Sequence, residues 1–406
     1  MKILMVNKFL FPNGGVETYC LNLGQYLTDI GHEVQYFGME DTRNIAGNSL
    51  NIYSAAMDFH HMSIFTKLIS LFRIIYSYDA KRKIKILIEK FHPDVVHLNN
   101  INYQITPSII PVIKKHGIPI VWTMHDPQLV CPNHMLYNER QRHKCEKCVE
   151  GSFFNCFTNR CIDGSAVKSF IGSIESIFYH SVKTYRMIDK FICPSQAIAD
   201  MLHRGRLPKE KLAVLPHFMR LNPLNSQTLN TSESDKPYVL YFGRISFDKG
   251  IESLISICRE LSDVQFIFAG EGKLKSLLDG IENVKSVGFL EGEQLRKLIA
   301  GARFTVCPSI FFETFGLSVL ESMALGTPVI GSASGGISEL IEDGKTGIII
   351  NEEDRNALKT AIRTLWDDHA LQNEMRQNCK KIRFNTFTEY CDKLMSVYSL
   401  TYTCES

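Results

Sequence analysis

Short apolar runs alternate with longer amphipathic segments along the first half of the chain: Lys2–Val6, then 17–31, Glu33–Phe37, and later Val95–Leu98 and 118–123. The short runs read as strands and the segments of helical period between them as helices. At 221–236 the pattern gives way to Asn-Pro, Ser-Gln-Thr and Ser-Glu-Ser, a polar, turn-rich stretch that reads as a linker. It restarts at 238–242, 264–269, 284–289, 303–307, 328–331 and 347–350, each run followed by a helical pattern. Strands alternating with helices predict parallel sheets covered on both faces. The expected fold class is therefore α/β, with two Rossmann-like doubly wound domains facing a central cleft. The first spans 1–220 with a Cys-rich insertion at 131–161, and the second spans 237–384. A C-terminal helix at 385–406 is expected to pack back on the first domain. Open sheets of this kind bind ligands at the carboxyl ends of their strands, so the cleft is the expected site.

Length agrees with this division, since 406 residues exceed what one core usually organises. A formal net charge of +2 implies no global attraction to nucleic acid, so an anionic partner must be met by local groups, as a small phosphorylated ligand would be. Asn7 and Lys8 interrupt the first apolar run before it reaches signal-peptide length, which leaves it as a buried strand. The most hydrophobic stretch, 64–78, carries Lys67 and Arg73, so a soluble or peripheral protein is expected.

The residues 313–329 carry the densest chemistry. Leu317, Leu320 and Ala324 share a helical face, and Gly326 with Pro328 stops the helix. Glu313 then lies in the loop before the helix and Glu321 on it, with the amides of Gly316 and Leu317 free at the helix N-terminus. An isolated pair of glutamates so spaced is usually a solvated face; here the surroundings suit a sugar diphosphate. In 241–250, a strand ends in Gly243 and a loop bearing Arg244 and Lys249, two cations able to neutralise a diphosphate without a metal. Gly270 and Glu271, and Gly288 through Leu290, end two further strands where a base and ribose could approach the backbone. In the first domain Gly14 and Gly15 form a loop between strand and helix, without the G-x-G-x-x-G pattern of a dehydrogenase, and His125-Asp126 ends another strand.

In that order these blocks, with Pro194-Ser195 and Gly335-Gly336 followed by Glu339, resemble the retaining GT-B glycosyltransferases of family 4 over nearly the whole chain. The resemblance implies a first domain on the acceptor side and a second that binds a UDP- or GDP-linked sugar. It implies that Arg244 and Lys249 hold the donor diphosphate, that Glu321 binds the ribose, and that Glu313 and the backbone after Phe315 (Gly316, Leu317) bind the donor sugar beside His125. Gly15, Gly243, Gly270, Glu271 and Leu290 complete the expected donor site. It further implies metal-independent transfer with retention, to a glycan or polyprenyl-linked acceptor, in surface polysaccharide synthesis on the cytoplasmic side. A nucleotide-sugar epimerase, a disaccharide phosphorylase or synthase, and a non-catalytic donor-binding subunit would share the cleft.

Two features lie outside these blocks. Cys145, Cys148, Cys156 and Cys161, preceded by Cys131, His134 and His143, could hold a structural zinc, stand as reduced thiols, or pair on oxidation. The scattered Cys20, Cys193, Cys258, Cys307 and Cys391 read as small core residues. The segment 64–90 combines Ile64, Leu68, Leu71 and Ile75 with Lys81, Arg82, Lys83 and Lys85, the pattern of an interfacial helix attracted to anionic lipid.

Overall fold

In a computed structural model of the chain, which describes residues 1–56, 73–218 and 236–402, two parallel sheets of six strands each form the two halves of the molecule. The strands are β1 Lys2–Val6, β2 Glu33–Phe37, β3 Val95–Leu98, β4 Ile120–Thr123, a short antiparallel hairpin β5 Tyr137–Asn138 and β6 His143–Lys144, β7 Lys190–Cys193 and β8 Leu212–Val214. In the second half they are β9 Val239–Phe242, β10 Phe266–Ala269, β11 Val284–Gly288, β12 Phe304–Cys307, β13 Val329–Ser332 and β14 Gly347–Ile350. Central strands such as β1, β3, β4, β9 and β12 are apolar along most of their length because both faces are covered by helices.

The sheet orders are β2-β1-β3-β4-β7-β8 and β11-β10-β9-β12-β13-β14. Both reverse direction of travel beside their first strand, and the loops leaving β1, β3, β9 and β12 therefore open a crevice at each switch point. The expectation of two doubly wound domains is borne out. The linker assigned to 221–236 lies outside the described residues, apart from Lys236.

The helix Phe387–Tyr402 leaves the second domain and packs on the first, where Tyr390, Cys391, Leu394 and Tyr398 share a core with Ile3, Met5, Leu10 and Tyr19. Two buried contacts fix it there, and a third orients the histidine that makes one of them. Tyr390 Oη lies 2.5 Å from Tyr19 Oη, Tyr398 Oη lies 2.6 Å from His97 Nδ1, and His97 Nε2 lies 2.7 Å from Thr123 Oγ1. Burial drives the His97 pKa down to about 3, so this imidazole is neutral in the fold.

The helix Tyr78–Phe91 starts on a Ser77 cap and turns Ala80, Ile84, Leu87, Ile88 and Phe91 into the first core. Its apolar stripe thus belongs to the domain interior. Lys83 and Arg82 meet Asp79 at 3.1 and 4.0 Å, and Lys85 meets Glu89 at 3.6 Å, so the outward basic run is partly neutralised by its own helix. Ile64, Leu68 and Leu71 lie outside the described residues. Among the described residues, no helix is long and apolar enough to cross a membrane.

Candidate active site

A cavity of about 660 Å³ lies between the two domains, within the size range of small-molecule sites. From the second domain, β9 delivers Gly243 and Arg244. The loop that follows is packed backbone to backbone against its neighbour: a Cβ on Gly270, at φ +153°, would sit 1.9 Å from Gly243 O, so only glycine fits there. Arg244 is aimed by Asp248, whose Oδ2 accepts from Nη2 at 2.6 Å, and by Ser246 Oγ at 3.2 Å from Nε. Its side chain nevertheless keeps 58% of its surface exposed to the cavity and solvent.

Lys249 and Glu313 meet at 2.5 Å, and Ser309 Oγ donates to the same Glu313 oxygen at 2.7 Å. The Lys249 ammonium also stands 4.4 Å from the centre of the Phe311 ring. The loop holding Glu313 is clamped from behind by Gly335 at φ +57°, where a Cβ would lie 2.0 Å from Glu313 O. Phe315 is buried, and Gly316 at φ +93° starts the helix Leu317–Ala324 without a side-chain cap. The first amides of that helix therefore face the cavity as anion-directed donors.

From the first domain come Gly14 and Gly15 at the start of the helix Gly15–Asp29, and His125 after β4. His125 Nε2 lies 3.0 Å from Asn99 Oδ1, and Asn99 O accepts the Trp122 indole N–H at 2.8 Å, so a buried asparagine orients the imidazole. Tyr19 meets the His125 ring edge-on at 5.0 Å, and His217 stacks on it at 6.1 Å. Beside them Lys8 is desolvated, which lowers its pKa, while Asp126 and Glu17 pull it back up.

Of the residues singled out in the sequence, Gly15, His125, Gly243, Arg244, Lys249, Glu313, Phe315, Gly316 and Leu317 line this one cavity. Gly270, Glu271, Leu290 and Glu321 do not. Gly270 supports the Gly243 loop, Glu271 pairs with Lys275 at 2.6 Å, Leu290 packs against an apolar cluster, and Glu321 is half-buried further along its helix. Tyr19, His217, Tyr241, Ser309 and Ser318 line the cavity without having been expected. Ser309 stood four residues before Glu313, a spacing that places one hydroxyl beside the carboxylate, whereas nothing near His217 distinguished it.

Cys148, Cys156 and Cys161 are buried together against Phe153 and Ile162, while Cys145 stands half-exposed. Among the described residues, no three His, Cys, Asp or Glu side chains are placed to hold a metal ion. His134 instead stacks on Tyr103 at 5.3 Å, with Asp126 at 3.7 Å.

Residues 13–222 match the sequence family described as Glycosyltransferase Family 4, and residues 226–382 match Glycosyl transferases group 1. The chain is 24% identical over 408 positions to an uncharacterized glycosyltransferase of Methanocaldococcus jannaschii, covering 94% of this chain and 93% of that protein. A sulfoquinovosyl transferase of Arabidopsis thaliana is 32% identical over 200 residues, 45% of this chain and 39% of that one. Among solved structures, sucrose-phosphate synthase from Thermosynechococcus elongatus superposes with a TM-score of 0.70 at 19% identity, with both chains fully covered. An Anabaena protein solved in complex with UDP-glucose gives 0.66 at 18% identity, covering 98% of this chain and 100% of that one. These likenesses identify the fold as GT-B.

Proposed function

The chain belongs to glycosyltransferase family 4, and we propose that it transfers a sugar, with retention and without a divalent metal, from a UDP- or GDP-linked donor to a glycan or lipid-linked acceptor in surface polysaccharide synthesis. The observation that carries this reading is the convergence of Arg244, Lys249, Glu313 and the N-terminus of Leu317–Ala324 on the cavity that His125 faces from the opposite domain. A structural neighbour solved with UDP-glucose supports the donor class.

On this reading the donor diphosphate lies between Arg244, Lys249 and the helix N-terminus. Charge that develops on the leaving phosphate meets two cations and oriented amides. Glu313 accepts from hydroxyls of the donor sugar, and Ser309 and Lys249 hold the carboxylate in position for it. His125 stands beside the reacting sugar as an oriented electrostatic group. The bond from the anomeric carbon to phosphate breaks while the bond to the acceptor oxygen forms on the same face. The acceptor proton passes to the departing phosphate, so nucleotide diphosphate and glycoside are the products. The outward Lys81, Arg82, Lys83 and Lys85 would let the first domain sit at the inner face of the plasma membrane, where a polyprenyl-linked acceptor resides. Incubation with UDP- and GDP-sugars tests the reading. One donor should release its nucleotide, and failure of every donor to bind or turn over would overturn it.

A further inference from the structure

A second cavity of about 540 Å³ lies between the β5–β6 hairpin and the loop after β9, and Arg244 lines both this cavity and the first. We propose that it is the acceptor subsite and that it takes an acidic sugar, one bearing a carboxylate or a phosphate. The inference rests on the glycosyltransferase reading and supplies its acceptor side.

The hairpin turn is held firmly. Asn138 Oδ1 accepts from the amides of Arg140 and Gln141, each at 3.0 Å, and the Arg142 amide donates to Asn138 O at 2.6 Å. From that turn Arg142 lays its guanidinium 4.1 Å from the centre of the Phe247 ring and pairs with Glu252 at 3.1 Å. Lys144 reaches Glu352 at 3.2 Å. A hairpin of the first domain is thereby fastened to the second, beside the loop that carries Arg244.

The charges in the cavity are unevenly paired. Arg244 is met by Asp248, Arg142 by Glu252, and Asp163 by Lys168 at 2.5 Å. Arg140 forms no ion pair among the described residues, and Lys273 stands near enough to Glu139 and Asp163 for its charge to act on both. Glu139 accepts the Asp163 amide at 3.0 Å and shares a side-chain hydrogen bond with the Asp163 carboxyl; burial and this neighbour raise its pKa. Arg140 and Lys273, which stand outside the close ion pairs that hold Arg142 and Arg244, together with the faces of Tyr137 and Phe247, form a set suited to a sugar that carries an anion. Because Arg244 is common to both cavities, an acceptor held here would approach from the side on which the phosphate leaves, as retention requires.

The test titrates the protein, saturated with UDP or with GDP if that is what it binds, with glucuronate, glucose 1-phosphate and glucose. Saturation closes the diphosphate site to the probes. One of the anionic probes should bind on the order of tenfold more tightly than glucose, as one charge-assisted contact permits. Whichever probe leads tells whether the anion is a carboxylate or a phosphate. Arg140→Ala with Lys273→Ala should abolish the preference while leaving nucleotide affinity unchanged, and Arg140→Lys with Lys273→Arg should retain it. Equal affinity for all three probes, or a preference that survives the double alanine variant, overturns the proposal. Absence of any nucleotide binding with the anion preference intact would overturn the donor reading instead.

Discussion

Lys249 and Glu313 hold each other at 2.5 Å in the cavity, with Ser309 on the carboxylate and the Phe311 ring beside the ammonium, so each fixes the other's position for a ligand. Replacing Lys249 by Ala releases Glu313 and, on the proposed reading, removes a charge aimed at the leaving diphosphate. Loss of one such preorganised group costs roughly 10²–10³ in turnover. Lys249→Ala and Glu313→Gln should each lower kcat by that order with an unchanged thermal midpoint, measured by nucleotide release and calorimetry. Turnover within a few-fold of wild type in either would remove them from the site. The sequence made these two residues visible through the strand-loop and loop-helix settings in which they stand. His217 was not legible, because its place against His125 depends on how the chain leaving the edge strand β8 returns toward the cleft, a long-range fact that no local pattern encodes.

Among the elements, the C-terminal helix Phe387–Tyr402 carries the clearest pH consequence. His97 is buried and neutral between Tyr398 and Thr123, with its pKa lowered from its usual value near 6.5 to about 3. Between these values the unfolded chain binds a proton that the native chain refuses. Native stability is therefore complete above pH 6.5 and falls as the pH drops toward 3, by about 1.4 kcal/mol per unit from this group alone. Urea unfolding of His97→Gln should show a flatter acid limb between pH 6 and 4 than the wild type, and parallel limbs would exclude His97 as the cause. The strands and the doubly wound order were readable because buried parallel strands are continuous apolar runs and their helices keep a 3.6-residue period. The helix Tyr78–Phe91 shows the opposite case. A stripe that covers a sheet and one that lies on lipid have the same spacing; Ile84, Leu87 and Ile88 pack into the first core, while Ile64, Leu68 and Leu71 lie outside the described residues.

At the scale of the whole molecule, the two domains are latched across the cleft by few groups. Glu339 of the second domain accepts from the amides of Gln196 and Ala197 at 2.8 and 2.5 Å, placing a carboxylate at the N-terminus of the helix Gln196–Arg204 in the first. Ser195 Oγ donates to Thr314 O at 2.6 Å, and Thr314 Oγ1 donates to His125 O at 3.2 Å. Glu339→Ala should widen the cleft, seen as a larger radius of gyration by solution scattering, and raise the donor KM several-fold with less effect on kcat. An unchanged radius and KM would show that the latch does not govern closure. The catalytic reading presupposes a cleft in which Arg244, Lys249 and an oriented helix N-terminus take the place of a metal ion at the diphosphate. The measurement that bears on it most directly is proton NMR of donor turnover with excess EDTA present, following both nucleotide release and the anomeric signal of the product. An α-linked donor should give free nucleotide diphosphate and an α-linked product at an undiminished rate. A requirement for Mg²⁺ or Mn²⁺, or a product of inverted configuration, would contradict it.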